Sequence, residues 1–142
     1  MVAEFIRSEN TLTLATSEAG GEPRIAPLFY VPWADGLTVY WFSSRGSAHS
    51  RNLKRDPGAA VAIYRSTDRW REICGVQMRG KALAVADRAE RKAVTTAYVE
   101  RFRLGKVFDA ALKRSRLYAF RPEWVRYLDN SRRFGFKFEL SL

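Results

Sequence analysis

The sequence is poor in cysteine and histidine, with only Cys74 and His49 among its 142 residues. One cysteine cannot form an intrachain disulfide, and one cysteine with one histidine cannot build the usual four-ligand zinc site. We therefore expect no disulfide framework, no metal and a reducing compartment, the cytoplasm. No G-x-S-x-G motif accompanies the histidine, which argues against a serine hydrolase.

Long apolar runs are missing as well. No stretch approaches the roughly 18 apolar residues of a membrane span, and Glu4, Arg7 and Glu9 interrupt the first ten residues, where a secretory signal would be apolar. There is no internal repeat. With 46% hydrophobic residues the chain can build its own core. We expect one domain, residues 1–142, with no membrane as a partner.

Acidic residues are scarce relative to basic ones. The chain has 25 lysines and arginines against 15 acids, a formal charge of +10, and 19 of the 25 are arginine. The planar guanidinium suits phosphate and carboxylate, so the composition predicts an anionic partner. The run Leu128–Lys137 mixes basic and aromatic residues as single-strand nucleic-acid binders do, and a solvated basic tail explains it equally well. Because no nucleic-acid motif is present, we do not expect nucleic acid as the partner, and a basic nucleic-acid-binding module stays the alternative function from a different class.

Hydrophobic periodicity predicts a mainly β chain with short helices. A helix is expected within residues 1–10 and another over His49–Arg55, capped by Ser47, and two more follow Asp87. The predicted strands are 11–16, an edge strand 24–33, a central strand 37–43, then 59–65, 73–86 with possible bulges at Gly75 and Gly80, and 116–128, broken at Pro122. Five or six antiparallel strands with outer helices describe a small barrel.

The most informative segment for function is 39–57, where a strand end, a serine-rich turn and a helix start meet. The amides of a first helical turn attract anions. The segment adds hydroxyls and cations within one turn of the cap: Ser43, Ser44, Ser47, Arg45, His49 and Arg51. Tyr40, Trp41 and Phe42 precede them and could face a planar ring. The pattern predicts a phosphate site, and an ordinary capped helix with a solvated basic face remains the alternative.

Three motifs follow one another along the chain. They are Pro23-Arg24-x-x-Pro27-Leu28-Phe29-Tyr30; Phe42-Ser43 with Ser47-x-His49-x-x-Asn52-Leu53, Asp56-Pro57 and Ala60-Val61-Ala62; and Gly75-Val76-Gln77-Met78-x-Gly80. In order and spacing they resemble the flavin-binding split barrels related to pyridoxamine 5'-phosphate oxidase, especially a group of short single-domain bacterial members. The similarity covers nearly the whole chain.

The resemblance implies a six-stranded antiparallel split β-barrel and a homodimer with FMN at the subunit interface. It further implies an FMN-dependent oxidoreductase, in which the flavin supplies the redox chemistry. Arg24 would bind the phosphate, Phe42 and Ser43 would contact the ribityl chain or ring, and Ser47 and His49 would complete the phosphate pocket. The candidate set is therefore Arg24, Phe42, Ser43, Ser44, Ser47, His49, Arg51 and Gln77. No catalytic residue and no substrate can be named.

The sequence departs from the oxidase at three positions. His49 stands where the oxidase has a phosphate-binding lysine, so the charge of the pocket would depend on pH. Phe29 replaces another lysine, and the oxidase's strand glutamine aligns nearer Gly75 than Gln77. These departures argue against pyridoxamine phosphate as the substrate. In the oxidase the last strand sends residues to the flavin, so Arg132 or Arg133 could approach the partner subunit's cofactor.

Other functions are compatible with the same residues. A barrel of this kind could bind a deazaflavin or haem instead of FMN, or could store or sense flavin without turnover. The expectation of a dimer rests also on the strands themselves, since 37–43 and 75–81 carry apolar residues on both faces and would need cover that one short chain does not supply.

Overall fold

The chain forms eight strands and four α-helices, which a computed structural model describes over residues 1–142. The strands are β1 Thr11–Ser17, β2 Pro23–Phe29, β3 Val31–Pro32, β4 Val39–Ser43, β5 Gly58–Tyr64, β6 Cys74–Ala84, β7 Arg116–Asp129 and β8 Lys137–Ser141. The helices are α1 Val2–Ser8, α2 Ala48–Arg55, α3 Arg88–Phe102 and α4 Asp109–Arg114, with 3-10 turns at Trp70–Glu72 and Lys106–Phe108. None of the helices is long and apolar enough to cross a bilayer.

The strands form one antiparallel sheet in the order β2-β1-β5-β6-β7-β4-β3, with β8 added beside β7. The sheet curls so that alternate residues meet in one core of 18 buried residues, to which β1 contributes Leu12 and Leu14 and β6 contributes Val76 and Met78. Six longer strands, the two-residue β3 and the added β8 make up this curled sheet. The predicted split-barrel class is confirmed, and β2 lies at an edge as its prolines indicated.

Short helices close the two ends of the curled sheet. Helix α1 buries Phe5 and Ile6 at the end where β6 begins, and the Phe5 ring lies edge-on to Tyr127 at 6.1 Å. Helix α2 lies at the opposite end, where Leu53 enters the core and Asn52 donates to the Thr16 hydroxyl at 3.0 Å. The last residues of β1 and β4 and the first residues of β2 and β7 therefore lie at the end closed by α2.

Strand β4 is covered on both faces, as its sequence predicted, but its place in the sheet differs from the prediction. It lies next to the edge strand β3. Trp41 faces the barrel core, and Tyr40 belongs to a second cluster beneath α3, where Val94 and Tyr98 pack. Because α3 covers the outer face, β4 needs no second subunit to bury its apolar residues, and this part of the argument for a dimer was wrong.

Strand β7 continues past Pro122, where the sequence predicted a break. Gly80 pairs with Pro122 while Arg79 pairs with Trp124, so Glu123 is an extra residue that shifts the register. The bulge takes up the proline without ending the strand. Of the two glycines expected to mark bulges, Gly80 lies at this one.

The predicted starts of α2 and α3 are confirmed by hydrogen bonds to the capping side chains. The Ser50 amide donates to Ser47 Oγ at 3.2 Å, and the Glu90 amide donates to Asp87 Oδ2 at 3.1 Å. The Glu90 carboxylate accepts from the Tyr40 hydroxyl at 2.7 Å rather than completing a capping box. Burial, followed by this bond, raises the pKa of Tyr40 to about 12.

Candidate functional site

The turn between β4 and α2 leaves two backbone amides free at the end of the barrel that α2 closes. Ser47 Oγ accepts from the Ser50 amide and donates to the Ser44 carbonyl at 2.9 Å, so this hydroxyl serves the cap. The amides of Ala48 and His49 donate to no group in the chain. Because these amides carry the positive end of the helix dipole, the start of α2 can accept an anion.

His49 lies one residue into α2 and contacts the last residue of β4. Its Nε2 lies 2.7 Å from the buried Ser43 hydroxyl. Burial lowers the pKa of His49 below its ordinary value, so the ring is neutral at neutral pH. This part of the predicted group is brought together, since Ser43, Ser47 and His49 are adjacent at one end of the barrel.

Arg24 joins the same end of the barrel through the pairing of β1 with β2. Thr16 is directly opposite Arg24, and residues directly opposite in antiparallel strands share a face of the sheet. Thr16 faces α2, because its hydroxyl accepts from Asn52. The Arg24 guanidinium is about half exposed and forms an ion pair with Glu18 at 2.8 Å. An incoming anion would therefore compete with Glu18 for Arg24.

Ser44 and Arg51 lie on the solvent side of the turn. Ser44 is exposed, and its carbonyl accepts from the Ser47 amide at 3.1 Å. Arg51 is exposed and folds back so that its guanidinium donates to the Gly46 carbonyl. Both residues are close to the free amides of α2.

Phe42 points away from the other candidates. Its ring packs edge-on against Tyr98 of α3 at 5.0 Å, and the Arg91 guanidinium lies 5.5 Å from its centroid. Only its backbone faces the α2 end. Tyr40 and Trp41, expected to offer a surface to a planar ring, are buried, and that expectation was wrong.

Gln77 also lies apart from the group around α2. On β6 the buried residues Val76 and Met78 face the core, so Gln77 points to the outer face of the sheet, opposite Ala62. Within one chain it shares no face with Arg24. Any cofactor contact by Gln77 would be made from the outer face of the sheet.

A residue that the sequence did not single out lies beside Ser43. Arg116, the first residue of β7, is directly opposite Ser43 in the pairing of β4 with β7, so the two side chains share a face. Arg116 is half-buried and forms no ion pair. Local sequence carries no signal for it, because only the β4–β7 register brings residues so far apart in the chain together.

Small and apolar side chains line the outer face of the sheet along β1, β2 and β5. Ala15 pairs with Ala60, and Ala62 with Thr13, while Ile25 at the edge is 70% exposed. These residues line an open cavity of about 490 Å³ together with Gln77, Arg79 and Trp124. Between Gly75 and Lys81 the outer residues of β6 are polar or glycine, so the expectation of apolar residues on both faces of 75–81 was wrong. The apolar surface lies instead on the neighbouring strands.

The basic C-terminal run forms a turn and the start of β8 rather than a tail. Arg132 lies 3.5 Å from the Asp129 carboxylate, and the guanidinium groups of Arg132 and Arg133 both lie 5.7 Å from the Phe136 ring. This turn is at the end of the barrel closed by α1. Within one chain it is therefore remote from the group at α2. No cluster of three or more metal-ligating side chains occurs in the chain.

Comparison with known proteins gives a family match over most of the chain. The family model described as pyridoxamine 5'-phosphate oxidase matches residues 1–129. No curated protein matches the sequence.

Several solved structures share the fold. A conserved hypothetical protein of Mycobacterium tuberculosis is 23% identical, with a TM-score of 0.80 over 91% of this chain and 82% of that protein. The haem storage protein HutZ of Vibrio cholerae is 25% identical, with a TM-score of 0.71 over 84% of this chain and 86% of HutZ. A haem-binding protein of Mycobacterium smegmatis is 22% identical, with a TM-score of 0.79 over 99% of this chain and 58% of that protein.

Proposed function

The chain belongs to the pyridoxamine 5'-phosphate oxidase family, and from this premise we propose that it is an FMN-binding oxidoreductase. The observation that supports FMN is the start of α2, where two free amides lie beside His49 and Ser43 and near Arg24 and Arg116. A phosphomonoester is the group that such donors suit. FMN, when bound, would supply the redox chemistry, and the chain would bind and orient it.

Each residue has a defined task in this proposal. The amides of Ala48 and His49 would donate to the phosphate, and Arg24 would exchange part of its ion pair with Glu18 for a bond to it. Arg116 would add a second guanidinium beside Ser43. The Ser43 hydroxyl would hold the His49 ring in place. No acid or base for the substrate is assigned.

We propose that the protein acts as a homodimer through the outer face of the sheet. Ala15, Ala60 and Ala62 leave this face flat, and the exposed Ile25 and the Trp124 ring border it. A second copy would cover the apolar area, and it would place Gln77 within the interface. In such a dimer Gln77 could contact a cofactor bound at the interface, whereas within a single chain it points away from the group around α2.

Replacing Arg24 with alanine should weaken FMN binding about ten- to a hundredfold, because one charge-assisted contact to phosphate is worth about 1.5–3 kcal/mol. Riboflavin, which has no phosphate, should bind the variant as it binds the parent. Fluorescence titration with the two flavins measures the difference. If both affinities fall equally, Arg24 supports the fold or the ring and the phosphate assignment fails.

His49 should make FMN binding depend on pH. Burial holds its pKa below the ordinary value in the free protein, and a bound phosphate dianion favours the cation and raises it. A group whose pKa rises on binding takes up a proton, so FMN affinity should fall as the pH rises from the lowered pKa of His49 in the free protein to its higher pKa in the complex. Titrations across this range should show a slope in the parent protein that largely disappears in His49→Gln.

The same titrations of His49→Gln control for ionisation of the phosphate itself, because that ionisation is common to both proteins. Glutamine can still hydrogen-bond Ser43. An identical slope in both proteins would place His49 outside the phosphate pocket.

Haem is a second candidate, favoured by the two haem proteins among the structures of similar fold. The only histidine is neutral and half-buried, which suits an iron ligand. The absorbance of the purified protein separates the candidates, since oxidised flavin gives two visible bands and haem gives a Soret band. A Soret band that is lost in His49→Gln would replace FMN by haem.

A deazaflavin, which lacks the flavin's two visible bands, and flavin storage without turnover remain weaker alternatives within the same fold. We place the protein in the cytoplasm, on the ground that its one cysteine is a free, buried thiol.

A further inference from the structure

A basic cavity of about 360 Å³ lies between α3 and α4, on the opposite side of β4 from the α2 group. Four of its nine lining residues are cationic and one is acidic, Asp109. Arg91 forms the wall nearest β4: its guanidinium donates to the carbonyls of Leu112 and Ser115 at 2.9 and 3.1 Å and lies over the Phe42 ring. Arg91 thus fixes the position of α4 against α3.

The other three cations of the cavity are exposed and have no ion-pair partner, with the Asp109 carboxylate as the one opposite charge in the lining. Arg88, Lys92 and Lys113 form no ion pair and no side-chain hydrogen bond in the chain. Arg88 and Lys92 are four residues apart on α3, a spacing at which like charges lie close together and repel. Lys113 faces them from α4. The fold therefore holds together like charges that repel one another, and a bound anion would reverse the sign of that interaction.

The lining also limits what the anion can be. Val99, Leu112 and the methyl groups of Thr95 and Thr96 supply the remaining surface, and no aromatic ring lines the cavity. Both threonine hydroxyls donate to helix carbonyls, at 2.6 and 3.1 Å. A nucleobase would find no stacking partner here, whereas three to four cations against one carboxylate match a compact group with about two to three negative charges.

We propose that this cavity is a second anion site, which binds a compact polyanion with two or more phosphate or carboxylate groups. Binding joins α3 to α4 through Arg88 and Lys92 on one side and Lys113 on the other. The cavity opens on the outer side of β4, so the ligand there is not the phosphate held at the start of α2. The site does not depend on which cofactor the barrel binds.

Calorimetric titration of the full chain with pyrophosphate tests the proposal. We expect saturable binding that depends on the cavity residues, at least tenfold tighter than binding of orthophosphate at the same residues. The double variant Arg88→Ala/Lys92→Ala and the single variant Lys113→Ala should each weaken pyrophosphate binding, the double variant by tenfold or more. Circular dichroism checks that each variant keeps the parent fold.

The matched control is Arg103→Ala/Lys106→Ala, which removes the same charge from exposed positions outside the cavity lining. Equal weakening in this control would reduce the effect to diffuse net charge and overturn the site. Absence of saturable pyrophosphate binding would also overturn the site. The same conclusion would follow if an oligonucleotide bound more tightly than pyrophosphate and its binding depended on the same residues. FMN titrations of the cavity variants should match the parent, so failure of the flavin proposal and failure of this one are separate results.

Discussion

Ala62→Arg is expected to break the proposed dimer into monomers. Ala62 lies in the middle of the outer sheet face, between Thr13 on β1 and Gln77 on β6. An arginine there would be buried without a partner between two copies, close to Arg79 and Arg126 on the adjoining strands. An uncompensated buried charge costs about 3–5 kcal/mol, so the dimer dissociation constant should rise more than a hundredfold.

Light scattering at micromolar concentration measures the change in mass, and FMN retention through gel filtration should fall with it. Ala93→Arg is the matched control, because Ala93 is exposed on α3 and away from the outer face. A parent protein that is monomeric at these concentrations would remove the dimer proposal. A variant that stays dimeric would place the interface elsewhere.

Gly80→Ala is expected to cause a large loss of stability. A Cβ at residue 80 would lie 2.2 Å from the Arg121 carbonyl oxygen and 2.7 Å from Pro122 Cα. Both are backbone atoms of the neighbouring strand, so neither can rotate away. Overpacking of this kind costs about 3 kcal/mol, which for a chain of this length lowers Tm by about 10 °C.

Gly105→Ala supplies the comparison for thermal unfolding followed by circular dichroism. Gly105 has a φ of −77°, and a Cβ there meets no atom within 4 Å. Its replacement should leave Tm within a degree or two of the parent value. If Gly80→Ala were equally harmless, strands β6 and β7 would have to separate at the bulge, and the close approach of their backbones would not be a constraint on the fold.

Sequence reasoning located most of the elements because their signals are local. Each of these signals depends only on residues close by in the chain. Examples are the alternation over residues 11–17, the serine and aspartate caps and the glycines of the turns. Strand β8 had no such signal, since its exposed edge position imposes no strict alternation. The break expected at Pro122 did not occur, because a bulge opposite Gly80 accommodates the proline. The bulge depends on the pairing of two strands, so the sequence of neither strand alone predicts it.

The residues of the candidate site also fall into two groups: those that the sequence could identify and those that only the fold could identify. Ser43, Ser47 and His49 could be grouped from their closeness in sequence, and Arg24 from the family motif. Phe42 and Gln77 were also grouped with them, but the strand parity that fixes their faces became clear only once the core side of β4 and β6 was known. Arg116 required the β4–β7 register, which depends on contacts across the whole sheet.

The sequence by itself determined the class of the fold, the caps and turns, the excess of positive charge and the start of α2 as a candidate anion-binding position, because each depends on composition or on short-range hydrogen bonding. The tertiary structure alone decided that α3 rather than a second subunit covers β4, that the apolar outer face lies on β1, β2 and β5, and that Arg88, Lys92 and Lys113 share one cavity. These features arise from pairings between segments that are distant in the chain. The free energy of such a pairing depends on the packing of the complete barrel, so no periodic pattern in the sequence predicts it.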